Sequence, residues 1–373
     1  MQRNRITITV ILLYPFSLIY RAVVEIRNMF FEWRILPVTE FNLPVISVGN
    51  ITVGGTGKTP QVEYLVELLK DEFKLAYLSR GYKRKTSRFM VADMQSSASV
   101  IGDEPRQLKQ KFPELTVAVD RRRVNGIRQI LKMHEPPDVI LLDDAYQHRY
   151  VNPGKSILLI DYNRNITEDF LLPAGRLREP VSAKKRADII LITKSPNRLK
   201  PIEMRNLVKK LNIDFRQHLF FTTIKYHEIR SVFDIAEQKN AAYFKDKRVP
   251  VLLLTGIANP RHIRTYARSI STNLHEIAFP DHHAYSEKDI LKILNRLTAL
   301  DHPETLVLTT EKDAMRLQEL PIPDSLKKSL YYVPIRVDFL NDDREDFNKI
   351  ILNYVRSNKR DNILHKETDN TPA

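Results

Sequence analysis

A glycine-rich loop joins a short apolar strand to a helix in the N-terminal part of the chain. Residues 49–60 read GNITVGGTGKTP; the apolar run PVISV precedes them and the helical pattern QVEYLVELLK follows. Strand, glycine loop, Gly-Lys-Thr and helix, in that order, is typical of a loop whose backbone N–H groups surround phosphate oxygens. The predicted nucleotide-binding residues are therefore Gly54, Gly55, Thr56, Gly57, Lys58 and Thr59.

The last two residues of this loop carry its chemistry. Lys58 is expected to neutralise the β- and γ-phosphates, and Thr59 to offer its hydroxyl to Mg²⁺ at the start of the helix. The first glycine of the usual G-x-x-x-x-G-K-[ST] pattern falls on Thr52, so the loop is atypical. A plain glycine turn is the alternative interpretation, and it leaves Gly-Lys-Thr at this place unexplained.

A second nucleotide-binding signal lies at the end of another apolar strand. Residues 138–144 read DVILLDD, and the two terminal carboxylates, Asp143 and Asp144, fit a Walker B strand that holds Mg²⁺ directly or through water. Alone, such an ending is more often a loop cap than a ligand, but together with the loop it predicts a nucleoside triphosphate site. Residues 193–196, TKSP, lack the Asp of a guanine-reading motif, which favours ATP over GTP.

Short apolar runs that alternate with helical patterns predict the fold class. Such runs are typical of buried parallel strands, so we expect an α/β protein with an open, doubly wound parallel sheet. The polar stretch 212–249 separates two groups of strands, and within it LFFTTIKY is a candidate connecting strand. The predicted strands read PVISVGN, KLAYLSR, LTVAVD, DVILLDD, SILLID, ADIILITK, PVLLLTG, LHEIAF, ETLVLTT and LYYVPI.

Composition narrows the partners and the chemistry. The 373 residues include 59 Lys and Arg against 45 Asp and Glu, a net charge of +14, which predicts an anionic partner. The chain has no Cys, so disulfides, thiolate metal sites and cysteine nucleophiles are excluded, and a reducing location fits. Nucleic acid is disfavoured, because no binding motif is present and the basic runs lack interleaved stacking aromatics.

The N-terminus predicts contact with a membrane surface. Residues 6–20 form an uncharged run interrupted by Pro15, shorter than the roughly 20 residues that span a bilayer. No small-x-small cleavage site follows, which disfavours a signal peptide. Flanking arginines and the aromatics up to Trp33 indicate an amphipathic helix in the interface. The alternative is a helix packed on the protein's own core.

Nine motifs in order resemble the tetraacyldisaccharide 4′-kinase family of lipid A biosynthesis. They are GNITVGGTGKTP, LSRGYKRK, GDEPRQL, DRRR, LLDDAYQHR, LPAGRLREP, TGIANP, FPDHHAYS and TTEKDAMRL. The resemblance reaches to about Arg336, includes the atypical loop, and implies two α/β/α sandwich domains joined by a strand linker, the first with a P-loop-type parallel sheet. It implies a kinase that phosphorylates the 4′-hydroxyl of an acylated glucosamine disaccharide 1-phosphate with ATP and Mg²⁺, at the cytoplasmic face of the inner membrane.

The resemblance also implies roles for individual residues. Asp103 is the catalytic base and His282, in the second domain, its hydrogen-bonded partner, with Lys58 as the third catalytic residue. Without the resemblance, Asp103 reads equally well as a helix cap ahead of Pro105, and His282 as a capping or surface histidine. Glu179 is implied as a further carboxylate supporting Mg²⁺. The implied acceptor-site residues are Tyr82, Gln147, His148 and Arg178.

Two competing functions follow from the same residues. Asp143, Asp144, His148, Asp281 and His282 could form a metallohydrolase cluster, but no H-x-x-x-H or H-x-H spacing supports one. A membrane-recruited P-loop ATPase switch acting on a partner protein is the runner-up, because GGTGKT loops also occur in that class. A switch has no need of Asp103 or His282.

Four segments are expected along the chain, which we expect to act as a monomer. Residues 1–34 form the amphipathic membrane helix, 35–215 the P-loop kinase domain, and 216–340 a smaller α/β domain with connecting strands. Residues 341–373 form a C-terminal helix followed by a disordered tail after Ser357. Of the basic runs, some arginines are expected to contact the 1-phosphate of the substrate and others anionic headgroups.

Overall fold

The computed structural model describes residues 8–369 except 83, 85, 235, 236 and 303, and describes side chains as far as residue 358. The chain forms two compact units: unit 1 comprises Met1–Ile224 and Val337–Ala373, and unit 2 comprises Lys225–Arg336. The chain thus enters unit 2 inside the stretch 212–249. Residues 216–224 and 337–340, which the sequence assigns to the second domain, belong to unit 1.

The strands account for every apolar run named above. In chain order they are β1 Val45–Gly49, β2 Leu75–Ser79, β3 Met90–Val91, β4 Thr116–Val119, β5 Val139–Asp143, β6 Lys155–Asp161, β7 Ile189–Thr193, β8 His218–Tyr226, β9 Ile229–Ser231, β10 Gln238–Lys239, β11 Val251–Thr255, β12 Leu274–Ala278, β13 Leu306–Thr310, β14 Leu330–Val333 and β15 Ile335–Phe339.

The helices fill most of the intervals between the strands. They are α1 Ile8–Glu32, α2 Lys58–Leu69, α3 Ala98–Ile101, α4 Asp103–Lys111, α5 Arg123–Leu131, α6 Pro201–Leu211, α7 Ala241–Asp246, α8 Arg261–Ile270, α9 Glu287–Thr298, α10 Glu311–Leu317, α11 Asp324–Lys327 and α12 Arg344–Asp369. Short 3₁₀ turns occur at Ile166–Glu168 and Val181–Arg186.

Unit 1 contains a nine-stranded sheet in the order β15-β8-β7-β6-β1-β5-β2-β4-β3. The seven strands from β8 to β4 run parallel, and β3 is antiparallel to β4. Strands β1, β2, β5 and β7 are buried along their whole length, as expected for a parallel sheet covered on both faces. The sequence-based assignment to a P-loop-type parallel α/β fold is therefore confirmed.

The strand order creates a crevice beside β1. The chain moves from β1 outward to β2, whereas β5 and β6 lie on opposite sides of β1. Val48 of β1 is in register with Asp143 of β5, so the loop after β1 begins next to the Asp-Asp ending. Open α/β sheets bind ligands at such a switch point, outside the carboxyl ends of the strands.

Unit 2 has its own six-stranded sheet, in the order β10-β9-β14-β13-β11-β12. Strands β12, β11, β13 and β14 are parallel, while β9 and β10 are antiparallel additions at one edge. Separate apolar clusters cover the two sheet faces, one around Leu252 and Ile293 and the other around Leu253 and Ala267. Unit 2 therefore has a hydrophobic core of its own.

Helix α1 lies within residues 1–34, the segment expected to form the N-terminal helix. It is one continuous helix of 25 residues that passes through Pro15, although proline cannot donate a backbone hydrogen bond there. Within the described part of the chain, α1 alone is long and apolar enough, by length and composition, to cross a membrane. The uncharged run of residues 6–20 is therefore part of a longer apolar helix, which continues to Glu32.

One stripe of α1 packs on unit 1. The Ser17 hydroxyl donates to the carbonyl of Leu171 at 2.9 Å, and the Tyr20 hydroxyl donates to that of Arg178 at 3.0 Å. Val24 and Phe31 continue the buried stripe. These positions follow helical spacing, so α1 lies along the protein over most of its length.

At the other terminus, α12 packs Phe347, Ile351 and Val355 into the main core of unit 1. The helix continues to Asp369, whereas the sequence predicted a disordered tail after Ser357. Residues 370–373 lie outside the described residues.

Candidate nucleotide and phosphoryl-transfer site

The glycine loop after β1 is held at its centre from two sides. The Asn50 side-chain amide donates to the Thr56 hydroxyl at 2.7 Å, and the Thr193 hydroxyl at the end of β7 donates to the Thr56 carbonyl at 2.8 Å. Gly54 and Gly55 remain exposed. The residues predicted to cradle phosphates are therefore free to face a ligand while Thr56 is fixed.

Lys58, Asp144 and Arg178 form a charged group beside this loop. Lys58 Nζ lies 3.2 Å from Asp144 Oδ1, and Arg178 Nη1 lies 3.3 Å from Asp144 Oδ2. Burial raises the pKa of Asp144, but the Lys58 and Arg178 charges outweigh burial and hold that pKa below its usual value. Asp144 also adopts a left-handed backbone, φ 46°, a strained conformation that recurs at functional sites.

Asp143, the other carboxylate of the pair, is buried and half-satisfied. Its Oδ2 accepts a hydrogen bond from the Tyr77 hydroxyl at 2.7 Å, while its Oδ1 is buried with no hydrogen-bond partner in the described chain. Burial raises the pKa of Asp143 to about 6. The guanidinium of Arg123 donates to the Asp143 carbonyl at 3.0 Å, which fixes the strand end.

These oxygens fit a Mg²⁺ ion that a nucleotide brings with it. A buried carboxylate oxygen without a donor is favourable only if a cation or a proton approaches it. Among the residues described, no group of three or more His, Asp or Glu side chains is arranged to hold a metal by itself. Mg²⁺ usually takes one or two carboxylates plus phosphates and water, so the arrangement suits a nucleotide-bound ion.

Glu179 is the second buried carboxylate with orphaned oxygens. It is fully enclosed, and neither Oε atom has a hydrogen-bond partner in the described structure. Arg186 Nη2 lies 2.7 Å from Glu179 Oε2, but not in a hydrogen-bonding direction. Glu179 is joined to the phosphate loop through its own segment, because Arg178 N donates to the Ile51 carbonyl at 2.7 Å.

Asp161 and Lys194 form a further support that the sequence did not reveal. Lys194 Nζ donates to Asp161 Oδ2 at 2.8 Å and also to the carbonyl of Gly55 in the phosphate loop. Asp161 ends β6 and lies in register with Thr193 at the end of β7. The sequence singled out residues 193–196 only as an incomplete guanine motif; here Lys194 contacts the loop backbone instead.

The segments that carry Asp103 and Tyr82 lie against each other. Helix α4 begins at Asp103, and its cap position is Gly102, so Asp103 is not itself the cap residue. A β-carbon at Gly102 would lie 3.3 Å from both the Gly81 Cα and the Tyr82 carbonyl oxygen, and φ at Gly102 is 98°. Glycine is therefore needed for this close approach, which brings a half-buried carboxylate near an exposed tyrosine.

Gln147 and His148 follow β5 and both are half-buried. The Gln147 amide donates to the carbonyl of Asn50 at 2.7 Å, so this side chain braces the start of the phosphate loop. Burial, with the nearby charges of Arg123 and Arg80, lowers the pKa of His148 to about 4, so the imidazole is neutral at physiological pH.

His282 lies in unit 2 among cations. Its backbone is left-handed, φ 58°, and its N–H bonds the carbonyl of Gly256 at 3.2 Å. Its ring nitrogens lie 3.3 Å from Arg316 Nη2 and 3.4 Å from Lys312 Nζ. The predicted pairing of His282 with Asp103 stays a prediction. His283 pairs instead with Asp289, at 3.1 Å.

Sequence reasoning missed three residues that support the site: Tyr77, Asp161 and Lys194. Tyr77 lies inside an apolar strand, and only the order β1-β5-β2 makes it a neighbour of Asp143. Arg123 was read within a basic run, yet it is buried. A usable signal was present for Asp161, since SILLID ends in a carboxylate just as DVILLDD does.

Comparisons with known proteins agree on one family. The family model for tetraacyldisaccharide-1-P 4′-kinase matches residues 9–356. The tetraacyldisaccharide 4′-kinase of Phocaeicola vulgatus is 47% identical over 353 residues, 93% of this chain and 96% of that protein. The same enzyme of Bacteroides fragilis is 45% identical over 365 residues, 96% of each chain. The crystal structure of LpxK from Aquifex aeolicus in complex with ATP is 27% identical, with a TM-score of 0.72, and covers 93% of this chain and 99% of its own.

Proposed function

The chain belongs to the tetraacyldisaccharide 4′-kinase family, and from that premise we propose that it transfers the γ-phosphate of ATP to the 4′-hydroxyl of tetraacyldisaccharide 1-phosphate, a step of lipid A biosynthesis. One geometric observation supports this activity. The phosphate loop, the Lys58–Asp144–Arg178 group and the buried Asp143 oxygen all lie at the switch point of unit 1.

The phosphate loop and the Asp-Asp ending bind and orient the nucleotide. The backbone from Gly54 to Gly57 accommodates the β- and γ-phosphates, and Lys58 neutralises them. Asp144 holds the Lys58 ammonium beside the phosphate loop. A bound triphosphate competes for the same ammonium, so the carboxylate keeps the lysine in place until the phosphates arrive.

Mg²⁺ would be held by Thr59 and Asp143, with Asp144 and Glu179 supporting its surroundings. When bound, the ion screens the charge of the phosphates and favours attack on the γ-phosphorus. The unpartnered Asp143 Oδ1 supports Asp143 as a ligand. Glu179 is supported by its two orphaned oxygens and by the attachment of its segment to the phosphate loop.

Asp103 would accept the proton of the 4′-hydroxyl as that oxygen attacks phosphorus. A half-buried carboxylate at the start of a helix, beside the exposed Tyr82, suits a group that meets an incoming acceptor. His282 would orient this carboxylate, and Tyr82, Gln147, His148 and Arg178 would line the acceptor site. Neutral His148 can donate or accept a hydrogen bond with a sugar hydroxyl.

Helix α1 would hold the enzyme on the cytoplasmic face of the inner membrane without crossing it. Its buried stripe bonds the carbonyls of Leu171 and Arg178, so burying the whole helix in lipid would break those contacts. The opposite face carries exposed apolar residues, which suit the interface of an anionic membrane. The positive net charge favours the same surface.

The test is transfer of labelled γ-phosphate from ATP to tetraacyldisaccharide 1-phosphate in mixed micelles, with and without Mg²⁺. Wild type is expected to give a labelled lipid only with Mg²⁺. Asp103→Ala and His282→Ala should lose transfer while still binding ATP, and Lys58→Ala should lose both. Absence of transfer by folded, ATP-binding wild-type protein would contradict the proposal, and ATP hydrolysis untouched by Asp103→Ala would favour the ATPase switch.

A further inference from the structure

Arg164, in the loop that follows β6, lies against the phosphate loop and has no role in the site described above. We propose that Arg164 acts as an arginine finger supplied by the chain itself: its guanidinium contacts the γ-phosphoryl group in the transition state. This inference rests on the proposed phosphoryl transfer. It adds a catalytic cation that the glycine loop and the Asp-Asp ending do not reveal.

The Arg164 guanidinium lies close to Gly54 of the phosphate loop. A β-carbon added at Gly54 would lie 2.6 Å from Arg164 Nη1, with Cζ and Nη2 at 3.7 and 3.9 Å. Gly54 has φ 99°, a backbone conformation that favours glycine, and the absence of a side chain there leaves room for the Arg164 guanidinium. The Arg164 fork therefore lies beside the bare backbone of the loop expected to surround the β- and γ-phosphates.

Arg164 is a cation beside the phosphate loop that has no paired carboxylate among the described residues. Lys58 and Arg178 both pair with Asp144, and Lys194 pairs with Asp161. Within the described part of the chain, the Arg164 side chain has neither a hydrogen bond nor an ion-pair partner. A half-buried guanidinium without a carboxylate is suited to a planar array of phosphate oxygens, which its fork can bond with two N–H groups.

The backbone that carries Arg164 is well defined. The N–H of Arg164 donates to the carbonyl of Asp161 at 2.8 Å, and the N–H of Asn163 donates to Asp161 Oδ1 at 2.9 Å. Asp161 Oδ2 accepts from Lys194, which also bonds the Gly55 carbonyl. One buried carboxylate therefore links the Arg164 turn to the phosphate loop, so the backbone that carries the guanidinium is held in place.

The chemical step needs such a cation. The bond between the γ-phosphorus and the bridging oxygen breaks, and its electron pair leaves with the β-phosphate of ADP. A bond forms from the acceptor oxygen to phosphorus, and the hydroxyl proton passes to the proposed base, Asp103. Charge is then spread over the three equatorial oxygens of the transferring group, where an arginine stabilises it more than in the ground state.

The experiment compares Arg164→Ala and Arg164→Lys with Arg205→Ala, which removes an equal charge from an exposed position on α6. The measurements are kcat and KM for ATP, the thermal midpoint, and calorimetric Kd values for Mg·ADP with and without aluminium fluoride, which mimics the transferring phosphoryl group. Arg164→Ala should lower kcat by about 10²–10³-fold and weaken the fluoride complex comparably. The Kd for ADP should change less than about threefold, and Arg164→Lys should recover part of kcat.

Three results would overturn the inference. The first is a kcat for Arg164→Ala that matches that of Arg205→Ala. The second is an equal loss of affinity for ADP and for the fluoride complex, which would make Arg164 a ground-state contact. The third is a fall in the thermal midpoint that accounts for the lost activity. The fluoride measurement needs no lipid, so failure of wild type to phosphorylate lipid would count against the proposed function and leave the finger separately testable.

Discussion

At the scale of single residues, the phosphate loop depends on side chains outside its motif. Lys194 and Asp161 have side chains that are 11% and 1% exposed, and together they fasten the Gly55 carbonyl and the turn after β6. A buried ion pair contributes little net stability, but removal of one partner leaves the other charge buried without compensation. The Lys194–Asp161 pair therefore positions the phosphate loop. Its effect on the free energy of unfolding is seen when only one partner is replaced.

A double-mutant cycle tests this pair. Lys194→Met leaves the Asp161 carboxylate buried and uncompensated, so the free energy of unfolding should fall by about 3–5 kcal/mol. Asp161→Asn added to Lys194→Met should restore part of that loss, giving a coupling energy above about 1 kcal/mol in urea unfolding.

The matched control is the exposed pair of Lys210 and Glu168, whose side chains are 45% and 48% exposed and 2.8 Å apart. Its coupling should stay below about 1 kcal/mol, because water screens the charges. Equal coupling in the two cycles would remove the basis for a special role of Lys194.

The lowered pKa of His148 should make the free energy of unfolding depend on pH. This pKa is about 4 in the folded protein against an ordinary 6.5, so below pH 6.5 the unfolded chain binds more protons. Stability from this residue is complete above pH 6.5 and is lost as the pH falls toward 4. Between pH 7 and pH 5 wild type should lose about 2 kcal/mol more than His148→Gln.

Urea unfolding at the two pH values measures this difference. The control is His134→Gln, since His134 is exposed and should leave the pH dependence of wild type unchanged. If wild type and His148→Gln lost stability in parallel, the imidazole would be as accessible to protons as in the unfolded chain.

Among the helices and strands, α1 carries an exposed apolar face on one side and contacts the proposed acceptor-site segments on the other. Its inner stripe reaches both site segments: Tyr20 bonds the Arg178 carbonyl, and Arg27 bonds the carbonyl of Gln147 at 3.0 Å. Phe31 packs edge-on against the Tyr150 ring with centroids 4.9 Å apart. An acyl-bearing substrate approaching along the membrane would thus meet a helix attached to the residues proposed to bind it.

Replacement of exposed apolar residues on the outer face of α1 should reduce membrane binding without affecting the fold. Leu12, Phe16 and Ile19 are 67%, 60% and 64% exposed, so a triple change to Glu should leave the thermal midpoint and the Kd for ATP unchanged. The variant should leave the membrane pellet, and its KM for lipid should rise about tenfold or more in vesicles.

The control changes exposed apolar residues elsewhere, with Ile202→Glu on α6 and Leu291→Glu on α9. It should remain membrane-bound. Retention of the α1 triple variant in the pellet, or release of the control, would show that the α1 face is not the anchor.

For the whole molecule, local sequence patterns predicted the helices and strands. They could not predict which strands pair when the strands are far apart in the sequence. Each apolar run forms a strand, and β1, β2, β5 and β7 are buried along their whole length, which requires an unbroken apolar sequence. The sequence could not show that β15 returns after unit 2 to pair with β8, since that pairing joins residues more than a hundred positions apart. The same limit hid Tyr77 and Lys194, whose partners are set by strand order.

The glycine loop and Asp143–Asp144 were predictable because each motif is contiguous and ends a strand. Arg164 had no such signal: its relation to Gly54 arises only when β6 lies beside β1. The excess of positive charge predicted an anionic partner but could not choose one. The sites that need two or more strand ends are therefore the ones that required the structure.

The proposed kinase phosphorylates a single sugar hydroxyl, at carbon 4′ of the disaccharide. The most direct measurement is phosphorus–proton correlation NMR on the lipid recovered after reaction with ATP and Mg²⁺. We expect a second phosphomonoester, correlated with the proton at carbon 4′ of the distal glucosamine, beside the original 1-phosphate. Unchanged lipid with inorganic phosphate in solution, or a new ester at another carbon, would contradict the account.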